Sequence, residues 1–140
     1  FREQMEFAVI RCAIKNATPV DIAILNDLNN QLIAYKENSA YDYNEFYRLD
    51  VAFHKQLAKA AHNRMLEDTY NYSFEIFSPL ILGNYKAGQG IEPTVESHTD
   101  FYNALANKDL FLAGYAAHNA VALWSKWAKK QGYPAFPIRE

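Results

Sequence analysis

Apolar residues recur at spacings of three and four along almost the whole chain, which predicts an all-helical fold. A first helix is predicted over residues 2–15. Thr18 and Pro19 then restart the chain: Thr18 suits an N-cap, Pro19 the first helical position, and Asp21 the positive end of the helix dipole. The second helix carries Ile22, Leu25, Leu28, Leu32 and Ile33 on one side. Asn38, Ser39 and Ala40 interrupt the pattern. Asp42 with Glu45 reads as a capping box in which Asp replaces the usual hydroxyl residue. A third helix continues to about Ala61, and His62 with Asn63 marks a joint.

A fourth helix is predicted over about residues 65–82, with Pro79 expected to kink it or end its regular part. Residues 83–93 hold three of the five glycines and read as the one long loop, either a lid over a site or a flexible connection. Pro93 and Thr94 open a fifth helix that ends near Ala106. Asn107 and Asp109 start a sixth that reaches Gln131, with Gly132 as its stop. Its apolar stripe reads Leu110, Gly114, Ala117, Val121 and Trp124. The tail 133–140, with two prolines, is not expected to be helical. Short links between successive helices predict an all-α antiparallel bundle of about six or seven helices.

Composition bounds this picture. A chain of 140 residues, half of them apolar, is the size of one domain with one core. Ten Tyr and nine Phe against five Gly and five Pro suit long helices around a large core or cavity. A net charge of −2, with Lys129-Lys130 as the only basic pair, leaves no electrostatic case for nucleic-acid binding by this segment. The single Cys12 excludes an internal disulfide and fits a reducing, cytoplasmic setting. No apolar run approaches the ~18–20 residues that span a bilayer, and there is no signal-peptide pattern. The chain begins at Phe1 already in helical pattern, so it is read as a fragment lacking an N-terminal segment.

The third helix carries the chemistry. Positions 43, 47, 50, 54, 57 and 61 share one face, which places Asp50 and His54 inside the apolar stripe, one turn apart. A buried carboxylate without a partner costs several kcal/mol, so the pair needs each other, a basic residue or a metal. At this spacing both side chains reach one cation; the plainer alternative is that they simply hydrogen-bond each other. On the fifth helix Val95, His98, Phe101 or Tyr102, and Leu105 form the inward stripe, so His98 also points to the core. Three inward groups of ligand type on two helices favour a metal site over a satisfied core histidine.

His118 shares a face with Phe111, Tyr115 and Ala122, inward or at the flank, and His62 at a helix end suits a contact with the helix dipole. Arg2 and Glu6, four apart, form either a surface pair or an inward fork for a carboxylate. Imidazole and carboxylate donors without Cys suit zinc, nickel, iron or manganese.

Taken in order, three groups of residues resemble a known family. They are Arg2, Glu6, Ala13, Ala17 and Thr18; then Asp50, Phe53, His54, Leu57, Ala60, Ala61 and Asn63; then Glu96, His98, Ala104, Leu105, Asp109 and Ala113. The pattern is similar to the FCD domain, the C-terminal effector-binding domain of FadR-type regulators in the GntR transcription-factor family, and covers residues 2–123. The resemblance implies a bundle of six or seven antiparallel helices, a homodimer, and a winged helix-turn-helix domain on the N-terminal side that alone contacts DNA.

It also implies a divalent metal held by one Asp and three His, with a small organic acid completing the site; from the donor types zinc or nickel is expected ahead of manganese or iron. Asp50, His54 and His98 match the first three ligands, and Arg2 matches an arginine that faces the effector. The fourth histidine should fall at position 120, which is Ala120; His118 comes two residues early, about 200° around an α-helix. Either the last helix is locally rotated to bring His118 in, or three ligands leave an open side.

The expected function is thus non-enzymatic: a ligand-sensing and dimerisation domain of a transcription regulator. The alternatives are a metal-dependent hydrolase built on a helical bundle, or a metal-free sensor whose larger apolar ligand meets Tyr70, Tyr72, Phe74 and Phe77.

Overall fold

In the computed structural model the chain folds into six helices: α1 (Arg2–Asn16), α2 (Pro19–Asn38), α3 (Tyr43–Ala60), α4 (Arg64–Lys86), α5 (Ile91–Asn107) and α6 (Leu110–Lys130). The structure describes residues 1–38, 40–130 and 132; the expectations for Ser39, Gln131 and the tail 133–140 lie outside them. Among the described residues there is no strand.

The helix starts follow from local chemistry. The hydroxyl of Thr18 accepts from the Asp21 N–H while the Asp21 carboxylate accepts from the N–H and hydroxyl of Thr18, a complete capping box. Asp42 caps α3 by accepting from the Asn44 N–H, but Glu45 turns away and pairs with Arg48, so only half of the predicted box forms. Asn63 caps α4 through the Leu66 N–H, and Asp109 accepts from the Leu112 N–H at the start of α6. His62, at φ +48°, sits in the joint before α4; its Nε2 lies 2.7 Å from Asp21 Oδ2 and ties that joint to the start of α2.

Two expectations are corrected. α4 does not end near Leu82 but runs through Pro79 and Gly83 to Lys86, because Ile81, Asn84 and Tyr85 are buried and keep the helix docked. The predicted long loop therefore shrinks to residues 87–90, in which the N–H groups of Ala87, Gly88 and Gln89 bond back to Gly83, Asn84 and Tyr85 carbonyls. On α6, the buried face is Ala113, Ala116, Ala117 and Ala120, while Leu110 is half exposed. Small residues let α6 approach its neighbours closely: Ala117 of the predicted stripe is buried, but Ala113, Ala116 and Ala120 rather than Leu110 complete the packed face, and the side chain of Trp124 lies outside the described ones.

Side-by-side packing runs α4–α3–α2–α5–α6–α1, and α1 closes the bundle by also touching α3, α4 and α5. The core centres on Ile10, Leu25, Leu32, Phe46, Phe53 and Phe101, all essentially inaccessible to water. Because α2 packs against both α3 and α5, it holds these two helices where their inward side chains can meet.

The short link before α5 makes a conformational demand at two glycines. Gly88 (φ +69°) and Gly90 (φ +78°) both adopt the left-handed region that costs other residues ~1–2 kcal/mol. A Cβ on Gly90 would also lie 2.3 Å from the amide nitrogen of buried Asn84, whereas one on Gly88 meets nothing within 4 Å. Urea unfolding should therefore show Gly90→Ala destabilised beyond Gly88→Ala by about 1 kcal/mol; equal losses would contradict the close approach.

Candidate metal centre

Asp50 and His54 rise one turn apart from α3, and His98 meets them from α5; all three are buried. Asp50 Oδ1 lies 2.8 Å from His98 Nε2 and 3.2 Å from His54 Nε2, and the two Nε2 atoms are 3.1 Å apart. Three electron-pair donors on two helices thus converge on one point.

Each is oriented by its surroundings. Tyr85, from α4, donates to Asp50 Oδ2 at 2.7 Å and lies 3.0 Å from the Thr94 hydroxyl, which leaves Oδ1 for the imidazoles. Tyr70, also from α4, contacts His54 Nδ1 and donates to Glu6 of α1. The His98 ring stacks on Phe53, centroids 4.1 Å apart and planes within 10°. Its own Nδ1 is buried with no hydrogen-bond partner among the described residues.

Electrostatics follow from burial and contact. Burial works to raise the Asp50 carboxyl, but its contacts with His54 and His98 outweigh it and hold the group far below the usual carboxylate range. Burial lowers His98, with Asp50 opposing, so the neutral imidazole is favoured. Burial, reinforced by neighbouring carboxylates, pushes the Tyr70 and Tyr85 hydroxyls well up, so both remain donors.

The donor set fits a divalent cation. At metal–ligand distances of ~2.1 Å, neighbouring donors sit about 3.0 Å apart for right-angled ligands and about 3.4 Å for tetrahedral ones. The three separations of 2.8, 3.1 and 3.2 Å cluster about the right-angled value. Among the described residues, Asp50, His54 and His98 are the one group of ligand type so placed.

The other candidates fall elsewhere. His118 is not brought to the cluster: its side chain is 65% exposed and its Nδ1 lies 3.1 Å from Glu3 Oε1. The two-residue offset carries it to the outer face of α6, while Ala120, in the position expected for a fourth histidine, lines the cavity beside the three donors. Arg2 is mostly buried, its Nε 3.5 Å from Glu6 Oε1 and its guanidinium 5.8 Å from the ring centres of Phe74 and Phe77, and it too lines this cavity.

The cavity has a volume of about 160 Å³; Thr94, Ser97, Gln89, Lys126 and Lys130 complete much of its wall. Of the aromatic residues considered for an apolar pocket, Tyr70 and Phe74 are buried against His54, Tyr72 faces outward, and none of the four lines the cavity. Sequence reasoning missed Tyr85, Lys126 and Lys130. Their only signal was helical phase, and each lies beyond a point where the phase was misread.

These shifts fix the acid response of the metal-free protein. The folded value of Asp50 is depressed, so its contribution is complete above the unfolded carboxylate value (~3.9) and is lost as pH falls toward the folded one. His98, a base with a lowered value, acts in the same direction: stability falls as pH drops through ~6.5, where the unfolded imidazole takes up its proton first. Urea midpoints followed from about pH 7 to pH 2 should fall in two stages, and Asp50→Asn should flatten the lower one. An unaltered lower stage in that variant would contradict the assignment.

Compared with known proteins, the chain has no match among curated sequences. The family model of the FCD domain matches residues 1–122, nearly the whole of the described bundle. The chain belongs to the FCD domain family, the ligand-sensing regulatory domains of GntR-type regulators.

Proposed function

We propose that this domain holds a divalent cation through Asp50 Oδ1, His54 Nε2 and His98 Nε2, and senses a small carboxylate in the adjoining cavity. The observation that carries the reading is the convergence of three buried donors within coordination distance of one another. Asp50 Oδ1 is shared by His98 Nε2 at 2.8 Å and His54 Nε2 at 3.2 Å, and a cation between them would let all three groups turn an electron pair toward one centre. A bound cation would supply an electrophilic centre for an effector oxygen. Zinc or nickel suits two imidazoles and a carboxylate, with manganese or iron next.

The remaining groups act on the effector itself. Arg2 offers a planar fork to a carboxylate, and Lys126 and Lys130 add positive charge at the cavity wall. Ala120 leaves open the side that a fourth protein donor would fill. A volume near 160 Å³ suits a small acid better than a long acyl chain, since drug-sized pockets run to ~300 Å³ and more. Exposed Leu110, Phe111 and Tyr115 on α6, and Met65, Tyr72 and Ile76 on α4, provide apolar faces for a homodimer. In the regulator, effector binding would shift the arrangement of the dimer, and a DNA-binding domain on the N-terminal side would report the shift. No helix among the described residues is long and apolar enough to cross a membrane.

Protein purified without chelator and analysed for metals, then titrated with Zn²⁺ and Ni²⁺, should take up one equivalent per chain. His54→Ala should weaken uptake by more than about 100-fold, the upper range seen when even an outer partner of a metal ligand is lost. Absence of metal after both steps would instead favour the metal-free sensor. For the effector, small mono- and dicarboxylates should raise the Tm of the metal-loaded domain, and Arg2→Gln should abolish the rise. Equal stabilisation by the uncharged amides of the same acids would overturn the role of Arg2.

A further inference from the structure

His54 differs from His98 in one respect: its far ring nitrogen is held by a chain of hydrogen bonds that leads out of the site to α1. His54 Nδ1 lies 2.5 Å from the Tyr70 hydroxyl, and that hydroxyl donates to Glu6 Oε2 at 2.9 Å. All three groups are buried, Glu6 to 1% exposure. A tyrosine has a single hydrogen to give. Because Glu6 takes it, the Tyr70 oxygen faces His54 as an acceptor, and His54 Nδ1 must carry the N–H. Nε2 then keeps its electron pair, aimed at Asp50 and His98.

Nothing comparable fixes His98. Stacking on Phe53 sets the plane of its ring, but its Nδ1 meets no partner among the described residues. The two imidazoles are therefore prepared unequally, one by the fold and the other only by what it binds. Glu6 and Tyr70 also stand 64 residues apart in sequence, on helices that touch each other, so the arrangement is not an accident of one helix turn.

We propose that Glu6 and Tyr70 are positioning residues that lock His54 in the Nδ1–H tautomer and raise the donor strength of its Nε2 toward a divalent cation. A carboxylate behind the tyrosine draws the N–H bond of His54 toward it and leaves more electron density on the opposite nitrogen. The inference rests on the metal-binding reading, but the tautomer belongs to the metal-free protein and is measured without any metal.

Two readouts test it. In metal-free protein at about pH 8, long-range ¹H–¹⁵N correlation should show His54 with a protonated Nδ1 and a bare Nε2. In Tyr70→Phe that pattern should be lost, and affinity for Zn²⁺ and Ni²⁺, measured by competition with a chelating dye, should fall about 10–100-fold. A merely structural Tyr70 would lower the Tm yet leave both the tautomer and the affinity of the folded fraction unchanged, and that result overturns the proposal. Should Tyr70→Phe not fold, Glu6→Gln keeps the size of the side chain and carries the same readouts. It should give a mixed tautomer and weaker metal binding, and wild-type behaviour there overturns the relay. A wild-type protein that binds neither ion overturns the metal reading and the affinity claim with it. A wild-type protein that binds metal but shows His54 protonated on Nε2 when metal-free overturns the relay alone.

Discussion

The burial of one carboxylate governs this structure. Asp50 is 3% exposed in the interior of the bundle. Removing such a group from water costs several kcal/mol unless it is paired and hydrogen-bonded. Three polar side chains answer that demand: two imidazoles converge on one oxygen, and a tyrosine hydroxyl donates to the other. The same contacts hold Asp50 in its charged form, so the core contains a fixed negative charge flanked by two imidazoles.

The surrounding helices are arranged so that this demand is met from three directions. α3 carries Asp50 and His54, α5 delivers His98, and α4 delivers both tyrosines. α2 spaces α3 from α5 by packing on each, and α1 closes the far side with Glu6 and Arg2. α6 closes the cavity, since its buried alanines allow close packing beside the donors and its Lys126 and Lys130 line the wall. The short link between α4 and α5 matters for the same reason. By ending α4 at Lys86 and restarting at Ile91, it places Tyr85 and Thr94 within hydrogen-bond distance of each other, next to Asp50.

Much of this was legible from local pattern. The i, i+4 spacing of Asp50 and His54 within an apolar stripe, and the inward phase of His98, depend only on the pitch of a helix, which a sequence displays directly. The caps at Thr18 and Asp42 were equally local, because a capping residue bonds to backbone two or three positions away. The register that puts Ala120 rather than His118 toward the site was readable from the family pattern, and the structure places the two side chains on those opposite faces.

What the sequence by itself determined, then, was an all-helical chain with Asp50, His54 and His98 turned inward, since periodicity is a property of neighbours along the chain. The tertiary structure alone decided how far α4 continues past Pro79, because the burial of Ile81 and Tyr85 outweighs the local penalty of the proline. It decided that Ala113, Ala116 and Ala120 rather than Leu110 complete the buried face of α6, because alanines carry too weak a hydrophobic signal for the apolar stripe to show which face packs. And it decided that Tyr70 and Tyr85 orient His54 and Asp50 across gaps of 16 and 35 residues, a pairing set by helix packing that no local spacing encodes.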